Sequence, residues 1–384
     1  MTNRPQVLLV AVGGYGAFYL NEMTQKDTGA DIAGICEVMP DIEAKHPVIR
    51  EKKIPLYHSL EDFYAEKTAD LAVIASPMHF HTEMTLTCLK HGTNVLCEKP
   101  LCLTKEEALQ MEQAAKAAGK FLAVGYQLNY QNDVLALKQD ILNGRYGQPV
   151  RMQVVHGMRR GASYYARNNW AGHITANGRE VLDSPFNNGC AHNFQMLTFL
   201  MGKDMTSACD VTDLEAELYR ANPNLENFDT AALRFRMENG AEILYYTTHA
   251  LRTQDFGPMG IMEFTKGRVT YGFGEKSYRG ETEDGTIINY SKVDPGSPLK
   301  KLYDAIDCVK HGGAPICGVQ AELPHIHAVR MAAEKPICNV SPNHMTVEKE
   351  NGDTYRYVNA IEEIFMESAK AWKLPKEIGY QLEK

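Results

Sequence analysis

At 384 residues, with 44% hydrophobic and 23% charged content and a net charge of −8, the chain suits a soluble globular protein of two domains. The acidic balance and the lack of a Lys/Arg-rich run exclude a nucleic-acid footprint, and an anionic lipid surface fits as poorly. No run of about 18 uninterrupted apolar residues exists, so no membrane span is expected.

Taken in chain order, Gln6 to Val12 is an apolar run, followed by glycines and a helix-compatible stretch from Ala17 to Lys26. A strand expected so close to the N-terminus leaves no room for a signal peptide. Nine cysteines without a Cys-x-x-Cys pair read as reduced, mostly buried thiols in the cytoplasm, without a disulfide framework or thiolate metal site. Asp31 to Cys36 is a second strand, Leu71 to Ala75 a third clear one, and His81 to Lys90 a helix. Asn94 to Cys97 follows, then a helix from Lys105 to Ala118 with Glu106 and Glu107 in its first turn, then a strand from Phe121 to Gly125. Strands each followed by a helix pair in parallel through right-handed crossovers. Residues 1–130 are therefore expected to form a doubly wound α/β domain.

Beyond Gly147 the pattern changes. Val150–His156, Glu215–Tyr219, Ala231–Met237, Glu242–Thr248 and Ile261–Thr265 read as strands, most without helices between them. Asn239-Gly240 is a strong hairpin signal and Lys266-Gly267 a weaker one. Residues 131–384 are expected to form an α+β domain on an open, largely antiparallel sheet. Helices at Cys190–Met201, Leu299–His311 and Ile361–Ala371 are expected to cover one face, and the C-terminal helix is free to pack back on the first domain. The other face offers a surface for a homo-oligomer, a dimer or a tetramer.

Ala11-Val12-Gly13-Gly14-Tyr15-Gly16 lies where the first strand turns into the first helix. In a Gly-x-Gly-x-x-Gly loop the first glycine makes the turn, the second admits a pyrophosphate and the third lets helix and strand pack closely. Ala11 replaces the first, whereas Gly13 and Gly16 keep the other two; the register Gly14-x-Gly16 puts Tyr19 in the third slot and fits less well. Backbone amides at the helix N-terminus then hold the pyrophosphate. Glu37 follows Gly16 by 21 residues and ends the second strand, where a carboxylate accepts from ribose hydroxyls and repels a 2′-phosphate. NAD is thus favoured over NADP, while the loop alone leaves flavin open.

Asn94 to Pro100 delivers Glu98 and Lys99 at the end of a short apolar strand. A lysine there is poorly solvated, which lowers its pKa and lets it move protons. The competing reading is a plain salt bridge to Glu98, which is awkward because adjacent strand residues point to opposite faces.

Four segments carry a resemblance to one family. They are the glycine loop, Ala75-Ser76-Pro77-Met78-His79-Phe80-His81, Cys97-Glu98-Lys99-Pro100, and Gly189-Cys190-Ala191-His192. Together they resemble the glucose–fructose oxidoreductase / inositol dehydrogenase / rhizopine-catabolism family, Gfo/Idh/MocA. The likeness is strong over residues 6 to 130, looser to about residue 270 and weak beyond.

The resemblance implies an N-terminal Rossmann domain, NAD, a sugar, glycoside or cyclitol substrate and an active site between the two domains. It assigns the cofactor to Val12, Gly13, Gly14, Tyr15, Gly16, Glu37, Ser76, Pro77, His79, His81, Glu98, Lys99, Gln127 and Trp170. It makes Lys99 and His192 catalytic; substrate is expected at these two and at Tyr126, His156, Arg159, Asp183 and Asn188. Two departures stand out. The family's tryptophan is commonly followed by arginine, where Ala171 stands. Its histidine commonly has aspartates four residues before and three after and a glycine two before, where this chain has Asn188, Gln195 and Cys190. An asparagine orients a hydroxyl but cannot act as the base.

The span from His156 to Asp183 is otherwise rich in groups suited to polyhydroxy ligands: Arg159, Arg160, Asn168, Asn169 and His173 are donors. Tyr164, Tyr165 and Trp170 could stack on a sugar's apolar face, although for any single residue a solvated loop is the commoner role. His325 and His327 imitate a metal pair without a carboxylate partner and read as core or surface histidines, so no metal is expected. The leading function is an NAD-dependent dehydrogenase acting on a secondary hydroxyl, at C3. The alternatives are an NAD-dependent glycosidase working by transient oxidation and elimination, and a non-catalytic NAD-binding regulator.

Overall fold

Short apolar strands are stable only where a sheet satisfies their backbone groups on both edges. In the computed structural model, which describes residues 4–274, 277–291 and 298–383, the first sheet contains β1 (Gln6–Val10), β2 (Asp31–Cys36), β3 (Leu56–Tyr57), β4 (Leu71–Ile74), β5 (Asn94–Cys97) and β6 (Leu122–Val124). Their order is β3-β2-β1-β4-β5-β6, and every neighbouring pair is parallel. The connection changes direction at β1/β4, a switch point whose carboxyl-end crevice is where such sheets bind ligands. The helices are set by local signals. Lys105–Ala118 begins where the Thr104 hydroxyl accepts from the Glu107 amide (3.2 Å) and stops at Gly119, which takes φ +64°.

The chain divides into two compact units, Met1–Gln131 with Pro295–Glu322, and Asn132–Asp294 with Leu323–Lys384. The helix expected over Leu299–His311 is observed as Lys300–His311, but it does not cover the second sheet. Leu299, Leu302, Ala305 and Ile306 join the core of the first unit with Val7, Leu9, Val73 and Leu96. Its apolar stripe at three- and four-residue spacing is what that core takes up.

The second unit is built on nine strands in the order β16-β15-β14-β13-β7-β12-β11-β10-β17. After β7 (Pro149–Met158), a small separate hairpin is formed by β8 (Thr175–Ala176) and β9 (Arg179–Glu180). The large sheet continues with β10 (Val211–Arg220), β11 (Thr230–Met237), β12 (Glu242–Thr248), β13 (Asp255–Phe264), β14 (Gly267–Tyr271), β15 (Tyr278–Thr282), β16 (Ile287–Tyr290) and β17 (Ile337–Asn339). β7 with β12 and β10 with β17 are parallel; the remaining pairs are antiparallel. A last hairpin, β18 (Met345–Glu350) and β19 (Asp353–Val358), turns at Asn351-Gly352, both with positive φ.

Helices cover both faces of this sheet, not one. Neighbouring residues of a strand point to opposite sides, and Tyr245 and Tyr246 of β12 show which helix lies on each. Tyr245 packs against Phe194 of helix Ala191–Leu200 (centroids 5.7 Å apart), whereas Tyr246 packs against Phe365 of helix Ile361–Ala371 (5.5 Å). The face expected to be open is therefore filled at its centre by Ile361, Ile364, Phe365 and Ala369. Farther along the sheet, the ion pair Arg151–Glu263 joins β7 to β13, and Arg268–Glu281 joins β14 to β15. Among the described residues no helix is long and apolar enough to cross a membrane.

A methyl group on Gly16 would lie 2.0 Å from the Ala11 carbonyl oxygen, whereas one on Gly14 meets nothing within 4 Å. Gly16→Ala should cost about 1–3 kcal/mol of stability by overpacking and Gly14→Ala almost nothing, read from urea unfolding. Equal midpoints for the two variants would refute the close approach.

Candidate functional site

In the first unit the turn after β1 is shaped by its own amides. Val12 N and Gly13 N both donate to Glu37 Oε2 at 2.9 Å, while Val38 N and Met39 N donate to Oε1 at 2.9 and 3.1 Å. The expected ribose acceptor thus sits at the end of β2, but its carboxylate already holds the loop. Ala11, standing where a glycine is usual, takes φ +65°, a left-handed conformation that costs a non-glycine residue roughly 1–2 kcal/mol. Lys45 Nζ donates to the Gly13 carbonyl (2.7 Å) and sets a cation beside the turn. The turn fits a dinucleotide: Gly14 leaves open space where a side chain would stand, and helix Gly16–Gln25 starts directly behind it.

After β4, Ser76 and Pro77 lead into a short 3-10 turn, Met78–Phe80, where His79 lies against the Phe80 ring (4.2 Å). His81 has a different job from the one expected. It is 1% exposed, and its two ring nitrogens lie 2.9 Å from the carbonyl oxygens of Pro100 and Ser76. Burial lowers its pKa, and a neutral imidazole can donate to only one of the two. His81 fastens the loop after β4 to the segment after β5; it does not offer a nitrogen to a ligand.

Glu98, buried at the end of β5, is paired with a residue that the sequence did not suggest. Its Oε1 accepts from Tyr19 Oη (2.5 Å) and from Lys301 Nζ, and its Oε2 accepts from the Lys99 amide (3.2 Å). Lys301, on helix Lys300–His311, has no exposed surface and also donates to the Gly125 carbonyl (2.9 Å). Lys99 follows in a half-buried position and joins Pro100 through a cis peptide bond. Tyr15 Oη donates to Gln127 Oε1 at 3.3 Å, which ties two expected cofactor residues together. Tyr126 departs from its expected substrate role: it is fully buried, with its hydroxyl 3.5 Å from the buried Glu322 carboxylate.

The second unit gathers a polar cluster. Asp183, 2% exposed, accepts from the Gly172 amide (2.7 Å) and from Asn188 Nδ2 (2.8 Å). Asn188 lies on a π-helical turn, Pro185–Gly189, and His192 is the second residue of the helix that follows. Asn193 Nδ2 donates to His156 Nδ1 (3.1 Å), and burial, then Arg160, pulls the His156 pKa down to about 4. His249, at the end of β12, was not anticipated. It is 3% exposed, its Nδ1 lies 3.1 Å from Tyr165 Oη, and a side chain on Gly189 would strike its Nε2 at 2.6 Å. Burial drives its pKa well below the usual value. Trp170 is half-buried on a turn whose amides at 170 and 171 donate to Asn168 Oδ1, with Arg167 stacked 5.5 Å from its ring.

Arg159 also differs from expectation. It pairs with Glu350 (2.6 Å) and lies 3.7 Å over the Tyr355 ring, so the β18–β19 hairpin holds it. Asp353 of that hairpin accepts from Ser163 N and Oγ, at 3.0 and 2.5 Å. His325 is core, with Nε2 3.3 Å from the Phe186 carbonyl, and His327 pairs with Asp210 (3.0 Å). Asn351-Gly352 is the signal that could have revealed the hairpin, since both residues take the positive φ of a two-residue turn.

His156 makes the stability of this unit pH-dependent. Its folded pKa, about 4, lies below the usual 6.5, so between those values the unfolded chain binds the extra proton and stability falls as pH drops. His156→Gln should remove about 1–3 kcal/mol of that acid loss. Its melting temperature should therefore decline less than wild type's from pH 7 to pH 4.5, and parallel declines would contradict the assignment.

Residues 6–126 match the sequence model of an oxidoreductase family with an NAD-binding Rossmann fold, Gfo/Idh/MocA. The chain is 33% identical over 100 residues to 1,5-anhydro-D-fructose reductase of Ensifer adhaerens, covering 26% of this chain and 30% of that protein. It is 25% identical over 235 residues to inositol 2-dehydrogenase of Burkholderia ambifaria, covering 59% and 64%. The matches thus span less than two thirds of these curated relatives. The WlbA dehydrogenase of Bordetella pertussis, solved with NADH and UDP-GlcNAcA, superposes with a TM-score of 0.70 at 22% identity, over 86% of this chain and 97% of that one. An oxidoreductase of Agrobacterium radiobacter, solved with NAD+, L-tartaric acid and magnesium, gives 0.68 at 21% identity over the same shares. The glycine loop, the switch-point sheet and the match over residues 6–126 agree: the opening segment of the first unit is similar to the NAD-binding Rossmann domain of the Gfo/Idh/MocA oxidoreductases.

Proposed function

We propose that the chain is an NAD-dependent oxidoreductase that oxidises a secondary hydroxyl, at C3, of a sugar, glycoside or cyclitol, with Lys99 as principal acid/base and His192 assisting. The observation that carries this reading is the partner of Glu98. Its carboxylate pairs with Lys301, 203 residues away in sequence; a buried counter-ion of its own gives Glu98 no need of Lys99 as its cation, which supports a chemical role for the lysine at position 99. NAD, when bound, would supply the acceptor for the hydride of the carbinol carbon. Neutral Lys99 takes the hydroxyl proton. Asn188, with its amide NH2 anchored on Asp183, presents its amide oxygen to a substrate hydroxyl, and His192 at the neighbouring helix start relays or anchors. Val12, Gly13, Gly14, Tyr15, Gly16 and Gln127 hold the dinucleotide; Glu37 serves the ribose by exchanging amide bonds for hydroxyls. The polyol relatives named above favour the same substrate class.

A redox-neutral glycosidase is the second reading, favoured by Asn188 where a carboxylate base is usual. Purified protein with NAD and a panel of sugars, cyclitols and glycosides should give stoichiometric NADH without aglycone release. Cleavage without net NADH would replace the dehydrogenase by the glycosidase, and NAD binding with neither signal would leave a regulator. Lys99→Met should lower kcat/KM by about 100-fold or more with NAD binding retained; full activity in that variant would sink the mechanism.

A further inference from the structure

The geometry points to Lys301, on the helix Lys300–His311 that comes after β16 in sequence, as a positioning residue of the cofactor site; this rests on the NAD-binding reading above. Its ammonium reaches the carboxyl ends of three strand connections at once. It pairs with Glu98 at the end of β5, donates to the Gly125 carbonyl just past β6, and lies 4.9 Å from the ring of Tyr15 in the turn after β1. Tyr15 in turn bonds Gln127 beyond β6, and Tyr19, one helical turn on, bonds the same Glu98 oxygen that Lys301 holds. The carboxyl ends of parallel strands at a switch point are where a dinucleotide lies. A lysine with no exposed surface has no role in solvation. A buried ammonium persists only with a carboxylate and carbonyl to receive it.

Two effects on the dinucleotide follow. Lys301 neutralises Glu98, which would otherwise oppose the pyrophosphate's negative charge. It also fixes Tyr15 and the Gly125–Gln127 segment, so the loop is set before the ligand arrives.

The test is direct NAD binding by titration calorimetry on the full chain, with circular dichroism and thermal melts as fold controls. Lys301→Met should raise the NAD Kd by about tenfold or more, and Lys301→Arg should recover part of the loss. With NAD varied and the polyol substrate held saturating, KM for NAD should rise more than kcat falls. Glu98→Gln should cost less affinity in the Lys301→Met background than in wild type, because the two residues act as a pair. An unchanged Kd in a folded Lys301→Met protein, or strictly additive losses, overturns the inference. Should Lys301→Met fail to fold, the Glu98→Gln/Lys301→Met double variant, in which no charge is left to neutralise, tests the positioning of Tyr15 and Gly125–Gln127 by itself: wild-type affinity overturns the inference and a loss of about tenfold supports it. Wild-type protein that does not bind NAD at all would instead remove the functional reading itself.

Discussion

A carboxylate buried at the end of a parallel strand needs amides, a proton or a cation to hold it; at Glu98 the partner is a cation, and much of this architecture follows from where that cation comes from. Glu98 is fixed by β5, yet its counter-ion is carried by a helix encoded some two hundred residues later. Removing one partner of such a pair leaves an uncompensated charge, at a typical cost of about 3–5 kcal/mol. The first unit is therefore not complete when its sixth strand has formed. The same helix supplies Leu302, Ala305 and Ile306 to the core beneath the sheet, so the electrostatic and hydrophobic requirements are met by one element.

Where local chemistry decides, the sequence was readable. Apolar runs gave β1, β2, β4, β5 and β6, and the glycine loop and Glu37 stand at the strand ends expected of them. β3 was missed because two residues, Leu56 and Tyr57, show no periodicity. Lys301 was invisible for another reason: on an amphipathic helix a lysine reads as a solvated face until the fold shows what lies opposite. Tyr126 stands among the expected substrate residues, and Arg159 suits a sugar by residue type. Burial against Glu322 claimed the first, and the Tyr355 ring and Glu350 claimed the second. His249 follows an apolar strand, where a histidine is ordinarily core; it is core, but core that abuts Gly189.

The second sheet shows why one open face was too simple an expectation. β12 is buried along nearly its whole length, without the alternation of a half-solvated strand. That pattern already asks for cover on both sides. Helices Ala191–Leu200 and Ile361–Ala371 provide it, one against Tyr245 and the other against Tyr246. The hairpin β18–β19 adds a local brace, holding the 159–163 loop through Arg159 and Ser163. The cluster around His156, His249 and Asp183 is thus supported by rigid elements, as a preorganised polar site requires.

The split make-up of the first unit also has a consequence in time. Its opening segment ends at Gln131, and its closing segment runs to Glu322, so roughly 190 residues must be synthesised between them. At about 5–20 residues per second a ribosome needs about 10–40 s for that stretch. Throughout that interval the nascent sheet carries an unpaired Glu98 and an apolar surface still waiting for Leu302 and Ile306. Newly made chains therefore pass through a stage in which the nucleotide-binding half is present in sequence but unfinished in structure, and it is then that chaperone binding would matter most.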